Sequence, residues 1–250
     1  MPVYNEKLTQ DLKKFALKNH ADLFGVADPK VFDDMPPEDK PMDVLGDAKA
    51  VVVYSVKYKD AASGYFDEKW WFRVEEQLAR IDKKLAEFLI EKGYKAHYFR
   101  IEGNAHHCYD EIIETTVPPE IRDSAPTLVE REKKLKPRNQ RRRLYCRIQY
   151  AAVAAGIGGF NKNRMIILPN YGPYFHLSMI LTDAPLKPDK PFDQDLCEGC
   201  NICIEACPTG ARSGGGLADA DKCKPMDCHF TCLRVCNEKF QKQRAEPKKS

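Results

Sequence analysis

The sequence contains no apolar run long enough to cross a bilayer, and its first segment, MPVYNEKLTQDLKKFALKNHADLFGVA, has neither a secretory apolar stretch nor paired arginines. We therefore expect no membrane span and no export signal, and a cytoplasmic location. A dominant charge is missing too: the formal net charge is +3 with 31% charged residues. A polyanionic partner would have to be argued from local clustering of cations, not from the overall balance. Internal repeats are absent apart from two groups of cysteines. The 250 residues suffice for one sizeable core plus a small appended module. Cysteine is the exception to this sparseness: of ten, eight lie between Cys197 and Cys236. In a reducing compartment such crowding argues for metal or cluster ligation over a disulfide framework.

Upstream of those cysteines the pattern reads as an α/β chain. EKLTQDLKKFALKNH places Leu8, Leu12 and Phe15 near one helical face, and DLFGVA and KAVVVYSVKY read as short buried strands. KWWFRVEEQLARIDKKLAEFLIEKGY predicts a long amphipathic helix with Leu78, Ile81, Leu85 and Leu89 inward and Gly93 ending it, followed by a strand at KAHYFRIE. REKKLKPRNQRRR, residues 131–143, has eight basic residues of thirteen and an interrupting Pro137, which predicts an exposed excursion. The core resumes with a small-residue helix in IQYAAVAAGIG, a strand at RMIIL, the turn PNYGPYF and a further apolar run ending near Leu186. We expect two domains, 1–186 and 187–250, joined by the proline-punctuated linker KPDKPFDQD and closed by a charged tail, EKFQKQRAEPKKS, with little to bury.

CEGCNICIEACP fits C-x2-C-x2-C-x3-C-P, the bacterial ferredoxin run, at Cys197, Cys200, Cys203, Cys207 and Pro208. In that run the first three thiolates hold one [4Fe–4S] cube and the fourth serves a second cube, so Cys207 calls for partners elsewhere. CKPMDCHFTCLRVC supplies Cys223, Cys228, Cys232 and Cys236, which brings the thiolates to the eight that two cubes need. The crossover rule assigns Cys197, Cys200, Cys203 and Cys236 to cluster 1, and Cys207, Cys223, Cys228 and Cys232 to cluster 2. Cys228-x3-Cys232 has one residue more than a bacterial ferredoxin would, and a helical turn there would put both sulfurs on one face. Two readings compete. Zinc would use thiolates in pairs and leave x3-C-P unexplained, and the second group could be buried thiols beside a single cluster. His229 could replace a ligand.

Three segments in order, IRDSAPTLVER, AGIGGFNKNRMIILPNYGPYFHLSMILTDAPL and the ferredoxin run, resemble the epoxyqueuosine reductase and reductive dehalogenase family. The resemblance implies an α/β, nitroreductase-like domain that binds cobalamin, joined to a C-terminal two-cluster ferredoxin-like module. The family's lone cysteine followed by C-x2-C-x3-C is similar to the lone Cys223 and the final three here. Its D-(S/T)-(A/G)-P motif matches Asp123, Ser124, Ala125 and Pro126, which implies Asp123 as proton donor beside the cobalt. A carboxyl in an apolar, enclosed site has a raised pKa and can hold a proton near neutrality. The A-G-(L/I)-G-x-x-G-K-N segment matches at Gly156, Ile157, Gly158, Lys162 and Asn163, with Asn161 where glycine is usual. By the same alignment Asn163, Ile166 and Leu177 fall at corrin contacts, and Tyr171-Gly172 at an aromatic-glycine turn. The glycines are expected to let backbone approach the planar ring.

These matches imply a cobalamin-dependent iron–sulfur oxidoreductase: a low-potential donor of ferredoxin or flavodoxin type feeds the clusters, and the corrinoid reduces a carbon–oxygen or carbon–halogen bond. The alternative is an electron-transfer or corrinoid-handling protein without substrate chemistry of its own. A small-molecule substrate is favoured, while tRNA stays open because the basic run 131–143 could neutralise several phosphates, although a solvated loop is the commoner outcome. Tyr98, Tyr109 and Tyr145 are the candidates for the dehalogenase branch's proton-donating tyrosine, each more commonly a core aromatic. His106, His107 and Cys108 could approach a cofactor or form a polar turn.

Overall fold

The computed structural model describes residues 3–33, 45–57, 68–100, 148–162, 166–214, 218–219, 221–223 and 227–245. Asp123, Asn163, the basic run 131–143, and His106, His107, Cys108, Tyr109 and Tyr145 lie outside the described residues.

Helix α1, Glu6–Lys18, starts where the Asn5 side chain accepts a hydrogen bond from the Leu8 N–H at 2.9 Å. Leu8, Leu12 and Ala16 fall on its buried face, and Phe15 packs at its flank against Phe88, with ring centroids 4.9 Å apart. Helix α2, Glu68–Glu91, turns Leu78, Ile81, Leu85 and Leu89 inward, and the chain reverses at Gly93 with φ +84°. Each such leucine contributes roughly 1.5–3 kcal/mol by leaving water. The strands are β1 Leu23–Ala27, β2 Ala50–Lys57, β3 Ala96–Arg100, β4 Gly159–Phe160, β5 Ile166–Ile167 and β6 Phe175–Thr182. A helix described over residues 148–154, α3, precedes β4.

Among the described residues four strands form one sheet in the order β1-β2-β6-β3, with every pairing antiparallel. Alternating helices and strands would have suited parallel crossovers, but here they build the α+β form of the fold. The two central strands, β2 and β6, are buried along nearly their whole length because helices cover both sheet faces. That is why they read as continuous apolar runs and not as alternating ones. On one face Val52, Tyr54, Val56 and Ile180 meet α1 and α2, and the Tyr54 hydroxyl donates to the buried Asp82 carboxylate. On the other, Val51, Val53, Leu177, Met179 and Leu181 meet Ile148, Ala151, Ala152 and Ala155.

Residues 187–195, expected as a linker, are laced to the core. The Asp189 N–H donates to the Val26 carbonyl at 2.8 Å, its carboxylate accepts from the Val26 N–H at 2.9 Å, and the Phe192 N–H donates to the Val153 carbonyl at 2.8 Å. The strap thereby covers the outer edge of β1, an edge that would otherwise invite another strand. The expected charged tail with little to bury is also corrected. Helix α5, Thr231–Ala245, runs through it, and Phe240 is buried against Ile167, Cys197 and Cys236.

Candidate functional site

All eight clustered cysteines fall among the described residues, none in a disulfide. Cys203 sits in a short helix, α4, Ile202–Glu205, while Cys232 and Cys236 ride α5 one turn apart. Burial pushes the Cys236 thiol up to about 12, and its neighbours Cys197, Cys203 and Cys200 push the same way. Burial likewise raises Cys197, opposed by an N–H from Lys162 and reinforced by Cys203 and Cys200. Cys232 is raised by burial, against a hydrogen bond and charge from Arg212, with Cys228 and Cys223 as its thiol neighbours. The chain therefore brings Cys236 to the first three cysteines and keeps Cys232 with Cys223 and Cys228. Cys207 is the contrast. Its modest burial works upward, but N–H groups of Thr209, Arg212 and Ala211 and the Thr209 hydroxyl hold it below the ordinary thiol range.

These thiols are neighbours without converging on one point. Among the described residues no three His, Cys, Asp or Glu side chains come close enough together to hold a single metal ion. A tetrahedral zinc draws its sulfurs to about 2.3 Å of one centre. A four-iron cube interposes its own iron and sulfide between thiolates, so its four ligands need not converge on one point.

The extra residue of Cys228-x3-Cys232 is handled differently from the expected helical turn. α5 begins only at Thr231, so Cys228 is not on it. His229 and Phe230 instead adopt left-handed conformations, φ 48° and 52°, and the Cys228 carbonyl accepts from the Thr231 N–H at 3.1 Å. Two consecutive non-glycine residues there cost roughly 1–2 kcal/mol each. The strain turns Cys228 back alongside Cys232.

The residues aligned to corrin contacts divide into two sets. Ile166 and Leu177 are buried in the apolar layer on the α3 side of the sheet, and Tyr171 packs at its margin with the Lys57 ammonium 4.9 Å from its ring centre. Lys162 belongs to the cysteines. Its N–H serves Cys197 and its ammonium donates to the Asn201 side-chain oxygen at 2.9 Å, between Cys200 and Cys203. The glycines face protein as well: a Cβ on Gly156 would lie 2.6 Å from the Lys190 carbonyl oxygen, and one on Gly158 2.4 Å from that of Ile167. Gly156 is also left-handed, with φ +72°. Their bareness admits the strap and β5, where sequence reasoning had placed a planar ring.

Sequence reasoning missed several participants. Tyr174 is buried beside both Cys232 and Cys236, burial pushing its hydroxyl up to about 12. Phe240 packs on Gly172, which at φ +100° must be bare to receive it. Thr209, Ala211 and Arg212 surround Cys207, and the only forewarning was the P-T-G turn signal after it, where Gly210 takes φ +63°.

Between the two regions stands β5. Ile167 packs with Cys197 and Cys236, while its neighbour Ile166 packs with Leu177. Consecutive strand residues point to opposite faces, so this two-residue strand is one wall with cluster thiols on one side and the apolar layer on the other.

Two substitutions check this description. His229→Gly should keep the full iron content and raise stability by about 1 kcal/mol, since His229 is exposed and glycine relieves its conformation. Lost iron would make His229 a ligand. Gly156→Ala should cost at least about 2 kcal/mol, a fall of some 4–8 °C in the unfolding midpoint without any cofactor added. An unchanged midpoint would return Gly156 to a purely ligand-facing role.

Residues 190–213 match the model of the 4Fe-4S binding domain family. An epoxyqueuosine reductase of Bacillus cereus is 49% identical over 69 residues, which is 28% of this chain and 18% of that protein, so the match spans under a fifth of the relative's length. Among solved structures, an epoxyqueuosine reductase with an epoxyqueuosine-modified tRNA stem loop aligns with a TM-score of 0.59 and 20% identity, over 96% of this chain and 67% of the other. The Bacillus subtilis epoxyqueuosine reductase, described with an aspartate catalytic loop swung out of its active site, gives 0.54 and 22%, over 87% and 56%. A reductive dehalogenase whose structure suggests a mechanism for B12-dependent dehalogenation gives 0.59 and 18%, over 98% and 34%. The chain thus shares the fold of the epoxyqueuosine reductases and reductive dehalogenases, and part of its sequence is similar to the epoxyqueuosine reductases.

Proposed function

We propose that the chain is a corrinoid-dependent iron–sulfur reductase. Cys197, Cys200, Cys203 and Cys236 would hold one [4Fe–4S] cluster, and Cys207, Cys223, Cys228 and Cys232 the other. The observation that carries the reading is the β5 wall, which sets a cluster's thiols one residue away from an apolar layer built at the aligned corrin positions.

That layer suits a planar, largely apolar ring with a carboxamide rim. Ile166 and Leu177 supply apolar surface. Ser55 lies directly opposite Leu177 in the β2–β6 register, and its buried hydroxyl has no hydrogen-bond partner among the described residues. On α3, next to Ile148 of the same layer, the buried Gln149 amide leaves both its oxygen and its nitrogen without a partner among the described residues. Each unpaired buried group costs about 1–3 kcal/mol. A bound ligand with its own donors and acceptors would remove that penalty. A corrinoid held here supplies the metal centre that accepts single electrons and activates a carbon–oxygen or carbon–halogen bond.

The chain's own residues do the rest. Ile167 and Phe240 keep water from Cys197 and Cys236, which favours electron movement inward over loss to solvent. Asp123 would deliver the proton that completes the reduced product, a role supported by its D-S-A-P context and by the aspartate catalytic loop of the Bacillus subtilis enzyme. Electrons would come from a low-potential donor of ferredoxin or flavodoxin type. For the substrate, a small molecule is the first reading. A tRNA-borne group is the second, favoured by the likeness to a reductase structure holding a tRNA stem loop and by the basic run 131–143.

Iron-replete protein titrated anaerobically with cobalamin should bind one corrinoid per chain, seen as a shifted visible spectrum. Asp123→Asn should keep clusters and corrinoid but lose on the order of 10²–10⁴ in turnover. Absence of corrinoid binding by iron-replete protein would contradict the proposal and leave an electron carrier. Unchanged turnover would remove Asp123 from the mechanism.

A further inference from the structure

Cys232, Cys236 and Phe240 recur every four residues along α5, so they fall on one side of the helix, and all three are buried. Phe240 is where that buried side ends: Gln241 is half-buried, and Lys242 and Gln243 are exposed. Two sets of neighbours hold its side chain. A Cβ on Gly172 would lie 3.2–3.3 Å from Phe240 carbons, so the aromatic rests directly on the bare backbone of the turn. It also packs with Ile167, Cys197 and Cys236 in one buried group, in which Phe240 is 7% exposed, Cys197 7% and Cys236 5%. Phe240 is the one large apolar residue in EKFQKQRAEPKKS. No neighbour in that segment could take its place over the two thiols.

Reduction of a four-thiolate [4Fe–4S] centre adds one electron and no proton, taking the assembly from about −2 to about −3 in charge. Water stabilises the more negative state more strongly, because the solvation energy of an ion grows with the square of its charge. Solvent exposure therefore raises the potential of such a centre, and dry burial lowers it.

We propose that Phe240 is a positioning residue that seals the cluster on Cys197, Cys200, Cys203 and Cys236 from water and thereby keeps its potential low. The proposal rests on the two-cluster reading above and goes beyond it by naming the side chain that sets the reducing power of the cluster beside β5. Phe240 acts through the surroundings of the thiolates and carries neither electron nor proton itself. A strong reductant at this place suits the passage of an electron across the β5 wall to a corrinoid.

Potentiometric titration of the anaerobic, iron-replete chain with dithionite, read by electron paramagnetic resonance, tests the assignment. Wild type should show two one-electron steps, and the step that Cys236→Ser abolishes identifies the cluster concerned. Phe240→Ala should keep both clusters and move that step alone to more positive potential. Phe240→Leu, which refills most of the space with apolar atoms, should return it most of the way. Should the alanine variant lose iron, Phe240→Val carries the test, with a smaller positive shift of the same step. A lowered unfolding midpoint with both potentials unmoved in the iron-replete variants would reduce Phe240 to packing and overturn the proposal. A shift confined to the other step would overturn it too, and either result leaves the two-cluster reading intact. A wild-type chain with a single cluster would overturn both.

Discussion

The return of Cys236 to the first three cysteines is the constraint on which the rest of the molecule hangs. It closes a loop from Cys197 out through Cys207, Cys223 and Cys228 and back along α5, which sets Cys236 beside the first group while Cys232 stays with Cys223 and Cys228. The same crossing presses Phe240 onto Gly172 and Ile167, and so anchors α5 to the core's own turn and strand. A module that would otherwise hang from a proline-rich strap thus shares hydrophobic contacts with the sheet: Cys203, Cys232 and Leu233 pack in the same cluster as α1, α2 and β2. Burial of this kind resists independent domain motion, since separating the two parts would expose both the apolar surface and the thiols.

Rigidity of that joint matters because electron transfer tolerates little change in spacing. β5 is only two residues long, yet it separates the cluster environment from the apolar layer by the thickness of one strand. Its pairing with β4, Phe160 opposite Ile166 and Gly159 opposite Ile167, fixes which isoleucine faces which side. The bare Gly158 lets the Ile167 carbonyl come close, and Gly156 does the same for the strap. The glycine-rich segment is thereby a packing device that draws the wall, the strap and α3 together.

Much of this was legible in the sequence. The buried strands, the inward face of α2 and its glycine stop follow from periodicity and capping, because a helix stripe and an apolar strand run are set by local geometry. The cysteine spacing carried the expectation of a crossed assignment, and the fold sets Cys236 beside Cys197, Cys200 and Cys203. What escaped has a common physical origin in contacts made by groups with no periodic signature. Lys162 looked like part of a corrin motif and instead serves Cys197 and Asn201. Phe240 was hidden in a charged run, where one aromatic among lysines carries no pattern. The left-handed pair His229-Phe230 could not be foreseen, since neither residue favours that conformation; tertiary demand for the Cys228 sulfur imposes it. The antiparallel sheet likewise depends on how connections run in space, which element order alone leaves open.

The central claim, that α5 folds back to complete the first cluster, is tested most directly by counting intact clusters in Cys197→Ser, Cys236→Ser and the double variant by Mössbauer spectroscopy. If both residues serve one cluster, each single variant and the double variant should all retain one intact [4Fe–4S] centre. A double variant left with no intact centre would place Cys236 in the other cluster and contradict the account.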